Sequence, residues 1–101
     1  MTAKYLILFP RGSIFNKEHY LKVHMPLIAK HYPDDFLSWE AVELAADAAY
    51  EIATRVEWTT AEAFESLHHS EAGKEIFADI PNFASAPAIF IKEEKVLGSG
   101  P

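Results

Sequence analysis

Cysteine is absent from the 101-residue sequence. Without a thiol, the chain can form no disulfide, cysteine nucleophile, cysteine-bound zinc site or iron–sulfur cluster. Glycine is scarce, with four residues, and neither a glycine-rich phosphate-binding loop nor a nucleophile-elbow motif occurs. The lack of cysteine is compatible with a reducing compartment, so we expect a cytoplasmic location.

Basic residues are also few. Nine lysines and arginines stand against fifteen aspartates and glutamates, which gives a formal net charge of −6. An acidic balance disfavours binding to nucleic acid and to anionic membrane surfaces. The apolar run from Tyr5 to Phe9 ends at Pro10 and is too short for the core of a secretion signal or for a membrane span. We therefore expect no nucleic-acid partner and no membrane partner.

Apolar residues are plentiful by comparison. Half of the residues are hydrophobic and 13% are aromatic, which is enough for the core of one domain of this length. We predict a single domain over residues 1–97. The last four residues, 98–101, read Gly-Ser-Gly-Pro and are expected to form a flexible tail.

The periodicity of the apolar residues predicts the order strand, helix, strand, strand, helix, strand. The expected ranges are 4–10, 36–44, 50–58 and 88–91 for the strands and 17–31 for the first helix. Asn16 is the expected N-cap of the first helix, Thr59 and Glu62 form a capping box for the second, and Ser70 begins a further helical turn. This order favours a ferredoxin-like α+β fold, βαββαβ, with both helices on one face of a four-stranded antiparallel sheet.

The first helix carries polar groups on the side that it should bury. At about 100° per residue, Tyr20, His24 and His31 fall on one stripe with Leu27. An unpaired polar group in such a position costs about 1–3 kcal/mol. Either the fold satisfies these groups or a pocket with water or a ligand does. Pro26 lacks an N–H, so we expect a kink beside His24 and a free backbone carbonyl there.

The opposite face of the sheet has no element to cover it. Several of its side chains are apolar, and a second copy of the sheet would bury them. This favours a homodimer. The charges of Glu51, Arg55 and Glu57 are expected on the same face, so the alternatives are an interface with ion pairs or an exposed patch on a monomer.

Several motifs, taken together, resemble the EthD family. The resemblance spans nearly the whole chain and rests on Tyr20 with His24-Met25-Pro26-Leu27, Trp39, Thr60-Ala61-Glu62-Ala63-Phe64 and Ala78-Asp79-Ile80-Pro81-Asn82-Phe83. It implies a dimeric α+β barrel of ferredoxin-like protomers. Members are often associated with oxidoreductases, and similar barrels include cofactor-free monooxygenases, muconolactone isomerases and small lyases. Those proteins use a pocket between helices and sheet, often with a histidine.

His24 and Tyr20 are the candidate catalytic residues. A histidine has an ordinary pKa of about 6.5, so its surroundings can prepare it for proton transfer near neutral pH. Tyr20 lies one turn earlier and can donate a hydrogen bond to a substrate oxygen or an enolate. The structural alternatives are a core histidine bonded to backbone and a core tyrosine whose hydroxyl reaches solvent.

The candidate substrate-binding residues are of three kinds, each with a structural alternative. His31 lies near a helix C-terminus, where a cation is favoured without any function. Asp79 and Asn82 can close a turn, or Asp79 can orient His24 across the pocket. Aromatic residues can line a pocket or simply fill the core: Phe15, Trp39, Trp58 and Phe83. The five histidines do not have a spacing that predicts a metal site.

The function expected from these residues and the resemblance is cofactor-free acid–base chemistry in a pocket between the first helix and the sheet. The substrate would be a small, aromatic or oxygenated organic compound of a catabolic or secondary-metabolite pathway. Oxygenase, isomerase and lyase reactions remain open at this point. The alternatives are a non-catalytic accessory or ligand-binding dimer of an oxidative pathway, and a structural dimer with a filled core.

Overall fold

The computed structural model describes residues 2–101. Its four strands form one antiparallel sheet in the order β2-β3-β1-β4. The strands are β1 (Ala3–Pro10), β2 (Phe36–Glu43), β3 (Tyr50–Trp58) and β4 (Ile89–Lys92). This confirms the ferredoxin-like α+β fold, with β1 and β3 as the two inner strands.

The first helix runs from residue 17 to residue 31, as expected, but its winding changes along its length. An α-helical turn, Lys17–His19, leads into a π-helical turn, Tyr20–His24, and then an α-helix, Met25–His31. The N–H of Met25 bonds to the carbonyl of Tyr20, five residues back. Pro26 has no N–H to give to the regular α-helical ladder. Where the sequence predicted a kink, the structure has a π-helical turn that ends two residues before this proline.

The second helical region is made of short segments. They are the α-helices Ala61–Glu65 and Glu71–Asp79 and the 3₁₀ turns Ser66–His68 and Ile80–Asn82. The longer helix begins at Ser70, as predicted, and the Ser70 side chain caps it by accepting a hydrogen bond from the N–H of Gly73. The prediction of a capping box at Thr59 was wrong. Thr60 caps the Ala61–Glu65 helix by accepting a hydrogen bond from the N–H of Ala63. The Thr59 hydroxyl instead donates to Asp35 at 2.6 Å and so links the end of β3 to the residue before β2.

Both helical regions pack on one face of the sheet. The side chains that β1 and β3 bury against them alternate along each strand: Tyr5, Ile7, Phe9, Ile52, Thr54, Val56 and Trp58. Tyr5 pairs with Val56 and Phe9 with Ile52, so the two rows lie side by side. The outer face carries half-buried Leu6 and Leu8 beside Ile89 and Ile91 of β4.

Gly73 lets two helical segments come together. A Cβ at this position would overlap the carbonyl oxygen of Leu67. Only glycine therefore permits the close approach of the Glu71–Asp79 helix to the preceding 3₁₀ turn.

Within the described residues, no helix has the length and apolar character that crossing a bilayer requires.

Candidate active site

A cavity of about 310 Å³ lies between the helical layer and the sheet. Its sheet wall includes Ile7 and Val56, and its helical wall includes Met25 and Ile28. Nearly all of the lining is aliphatic or aromatic. Apart from the weakly accepting sulfur of Met25, the lining has three side chains with hydrogen-bonding groups: His24, Tyr20 and Trp58. A small, mostly apolar compound fits this combination of volume and walls.

His24 lies at the end of the π-helical turn and is 6% exposed. Its Nδ1 lies 3.0 Å from Oδ2 of Asp79, the last residue of the Glu71–Asp79 helix. Nε2 of His24 makes no hydrogen bond with any described residue. The carboxylate therefore holds one side of the ring, and the other nitrogen is left for a molecule in the cavity.

Asp79 is the centre of a polar group that we call the carboxylate cluster: His19, His24, Asp79 and Asn82. Nε2 of His19 lies 2.8 Å from Oδ1 of Asp79, and Nδ2 of Asn82 donates to the same oxygen at 3.0 Å. The π-helical turn is what brings His19 and His24 to one carboxylate, because an i→i+5 turn places residues five apart on nearly the same side. Asn82 reaches back over the short 3₁₀ turn.

The carboxylate of Asp79 is ionised at neutral pH. Burial raises its pKa, but hydrogen bonds from Asn82, His19 and His24 outweigh burial and hold the pKa below the ordinary aspartate value. An ionised carboxylate only accepts hydrogen bonds. Nδ1 of His24 must therefore carry the proton that it shares with Asp79, which leaves Nε2 as an unprotonated base in the neutral ring.

His24 itself is neutral near pH 7. Burial lowers its pKa below 6.5, and this outweighs the opposite effect of the nearby Asp79 carboxylate. A neutral imidazole with a fixed tautomer is the form that accepts a proton. A ring held in this way can act as a general base, with Asp79 as the group that orients it.

Tyr20 offers a second polar group one turn before His24. Its hydroxyl lies 2.7 Å from Oγ1 of Thr54, which is fully buried on β3. Burial raises the pKa of Tyr20 to about 12, against the opposing effect of the Thr54 bond. The hydroxyl therefore keeps its proton at neutral pH. It can donate a hydrogen bond to a ligand oxygen while it accepts one from the Thr54 hydroxyl.

The remaining sequence-predicted residues divide between the cavity and its surroundings. Phe83 and Trp58 line the cavity. Phe15 lies behind it, with its ring 5.1 Å from that of Tyr20 and 5.5 Å from that of Phe83. Trp39 is on edge strand β2, opposite Val56, and half-buried against the core outside the cavity lining. Nε2 of His31 lies 2.9 Å from Glu75 without forming a hydrogen bond, also outside the lining.

Two residues of the site were not predicted from the sequence. At about 100° per residue, a regular helix puts His19 on a different side from His24, and the only signal of the change in winding is Pro26. The alternation of β3 puts Thr54 on the same face as Ile52 and Val56, but nothing in the sequence pairs it with Tyr20. Among residues 2–101, no group of three or more His, Asp or Glu side chains is arranged to hold a metal ion.

Solved structures with this architecture were found at low sequence identity. The chain superposes on an EthD-like protein from Ralstonia eutropha JMP134 with a TM-score of 0.79 and 22% identity, over 97% of this chain and 95% of that one. It also superposes on an ethyl tert-butyl ether D (EthD) family protein from Bacillus halodurans C-125, with a TM-score of 0.68 and 15% identity over 95% and 100%. The fold is that of EthD-like proteins.

The EthD-like fold is shared with a protein described as an oxygenase. SnoaB, a cofactor-independent oxygenase from Streptomyces nogalater, matches with a TM-score of 0.65 and 10% identity over 97% of this chain and 98% of that one. No protein-family model matches the sequence, and neither does any curated protein. At these identities the comparisons establish the fold, and the chemistry must be argued from the site.

Proposed function

We propose that this protein binds a small, aromatic or oxygenated organic compound in the cavity and removes a proton from it with His24, without a cofactor. The observation that carries the proposal is the state of the His24 ring. Asp79 fixes Nδ1, and Nε2 is left as an unprotonated base in an apolar cavity. The description of SnoaB as a cofactor-independent oxygenase supports chemistry of this kind on the same fold.

The proposed step moves one proton and leaves its electron pair on the substrate. Nε2 of His24 takes the proton from an acidic O–H or C–H, and the substrate becomes a phenolate or an enolate. The imidazolium that forms is stabilised by the Asp79 carboxylate. The Tyr20 hydroxyl donates a hydrogen bond to the oxygen on which charge develops. Such an anion is a common first intermediate of oxygenase, isomerase and lyase reactions, which differ in their later steps.

The test uses 2-tetralone, a two-ring ketone with acidic C–H bonds, in D₂O. We expect the protein to accelerate exchange of the α-protons, followed by ¹H NMR. The rate should rise with pH and level off with an apparent pKa below 6.5, because His24 must be unprotonated and burial lowers its pKa. His24→Ala should reduce the catalysed rate by about 10²–10⁴-fold, and Asp79→Asn should reduce it by a smaller factor.

The matched control is His69→Ala, which removes an exposed histidine that does not line the cavity. Full exchange activity in His24→Ala would show that His24 is not the base. Calorimetry separates the remaining alternative. Binding of 2-tetralone that is unchanged in His24→Ala, with no acceleration of exchange in the wild type, would identify a non-catalytic ligand-binding protein.

The homodimer is part of the same proposal. The outer face of the sheet presents Leu6, Leu8, Ile89 and Ile91 side by side, with Val42 farther along. Both helical regions lie on the other face, so a second copy of the sheet is the partner that fits. The outer face also carries an Arg55–Glu40 pair at 3.6 Å, which a partially hydrated interface can keep.

A further inference from the structure

Trp58 lines the cavity and carries a polar group that the proposed chemistry does not use. The side chain lines the cavity and is 1% exposed, yet its Nε1–H has no hydrogen-bond partner among the described residues. The neighbouring rings of Phe36 and Phe64, at 5.0 and 5.8 Å between centroids, carry no oxygen. The Tyr32 ring lies at 5.1 Å, and its hydroxyl bonds to Ser66 and Ser70. A buried donor without an acceptor lowers stability, so its retention requires an explanation.

The position of Trp58 in β3 relates this donor to the base. Thr54 and Trp58 are on the same face of the strand with Val56 between them, about 13 Å apart at the usual rise per residue. The Tyr20 hydroxyl bonds to Thr54, and the Tyr20 ring stacks near His24. Trp58 therefore lies farther along β3 than the position to which the Tyr20 hydroxyl bonds, and the apolar side chain of Val56 lies between the two.

We infer that the Trp58 indole N–H donates a hydrogen bond to an oxygen of the bound compound. The ligand is then an elongated, planar aromatic compound with two oxygen functions. One carries or activates the acidic proton beside His24 and Tyr20. The other is an acceptor, such as a carbonyl or an ether, at the far end. This inference rests on the proposed function for the direction in which the ligand lies.

The experiment compares two naphthols of nearly the same shape by calorimetry. 6-Acetyl-2-naphthol has an acceptor oxygen opposite its hydroxyl, and 6-isopropyl-2-naphthol lacks it. We expect the wild type to bind the acetyl compound about threefold to tenfold more tightly, as one added hydrogen bond allows. Trp58→Phe keeps an aromatic ring and removes the N–H, so it should abolish this preference.

Tyr5→Phe is the matched control. Its hydroxyl is also buried without a partner, on the neighbouring strand β1, but Tyr5 does not line the cavity. This variant should keep the preference of the wild type. Thermal unfolding of each variant verifies that it is folded, and the wild-type comparison of the two naphthols stands even where Trp58→Phe is unstable.

Equal binding of the two naphthols by the wild type would overturn the inference, as would a preference that persists in Trp58→Phe. Either result would leave the role of His24 untouched, because the exchange of 2-tetralone tests that role separately. If no naphthol binds and no exchange occurs, both proposals are wrong.

Discussion

Asp79 receives hydrogen bonds from three side chains, two of them imidazoles, and only one of those imidazoles lines the cavity. His19, on the outer side, is partly exposed, with a side-chain accessibility of 24%. The carboxylate beside the buried His24 ring is thus shared with a histidine that water can reach. Charge sharing of this kind changes the proton affinity of His24 without any contact between the two rings.

The first prediction concerns this sharing. His19→Gln removes an imidazole whose charge lowers the pKa of His24, and it leaves an amide that can still donate to Asp79. We expect the pKa of His24 to rise, so the pH–rate curve for 2-tetralone exchange should move to higher pH. An NMR titration of the His24 ring gives the same quantity directly.

His69→Gln is the control for His19→Gln, since His69 is exposed and makes no contact with Asp79. It should leave the curve in place. An unmoved curve in His19→Gln, in protein that retains its wild-type unfolding temperature, would mean that His19 only supports the loop. A pure loss of rate at every pH would have the same meaning.

The helical elements depend on one close backbone approach, at Gly73, and the second prediction tests it. Gly73→Ala places a Cβ against the carbonyl of Leu67, a backbone atom that no rotamer change can move away. We expect a loss of about 1–3 kcal/mol in the free energy of unfolding, as for other overpacked sites. Urea denaturation measures it.

Gly98→Ala is the matched control, because a Cβ there meets nothing within 4 Å. It should leave the free energy of unfolding unchanged within experimental error. A Gly73→Ala protein as stable as the wild type would show that the two segments can separate freely. The position of Asp79, at the end of the same helix, would then be less firmly fixed than the structure indicates.

The elements differ in how far the sequence determined them. The bounds of β3 followed from strict alternation, and those of the first helix from its stripe and the Asn16 cap. Thr59 and Thr60 are chemically equivalent caps, and the choice between them depends on Asp35, which binds Thr59 across 24 positions. A contact of that kind is tertiary and leaves no local pattern.

The candidate site was predictable to a similar extent. The buried stripe identified Tyr20 and His24, and an orienting role for Asp79 was one of two alternatives for that residue. Their meeting requires two helices to pack at a particular distance, which periodicity does not encode. His19 was missed for a different reason. The rotation of 100° per residue assumed for an α-helix does not hold in a π-helical turn, so the side of the helix on which a residue lies is then wrongly predicted.

At the scale of the whole molecule, the third prediction tests the homodimer. Ile91 on the outer sheet face and Val23 on the first helix are both 46% exposed. Ile91→Lys should convert a dimer to a monomer in analytical ultracentrifugation, because it places a charge in the proposed interface. Val23→Lys, an equal change on the other side of the molecule, should leave the mass unchanged. A wild-type protein that is monomeric at all concentrations would contradict the proposal.

The walls of the cavity and the group that orients the base come from separate sets of residues. Asp79, His19 and Asn82 lie outside the lining, whereas the lining is mostly aliphatic and aromatic. Substitutions among those hydrocarbon side chains would therefore change the shape of the cavity without changing the contacts of Asp79. Under the proposed function, related proteins can therefore bind different compounds after changes in the cavity walls alone, and the proposed proton transfer needs no new residues.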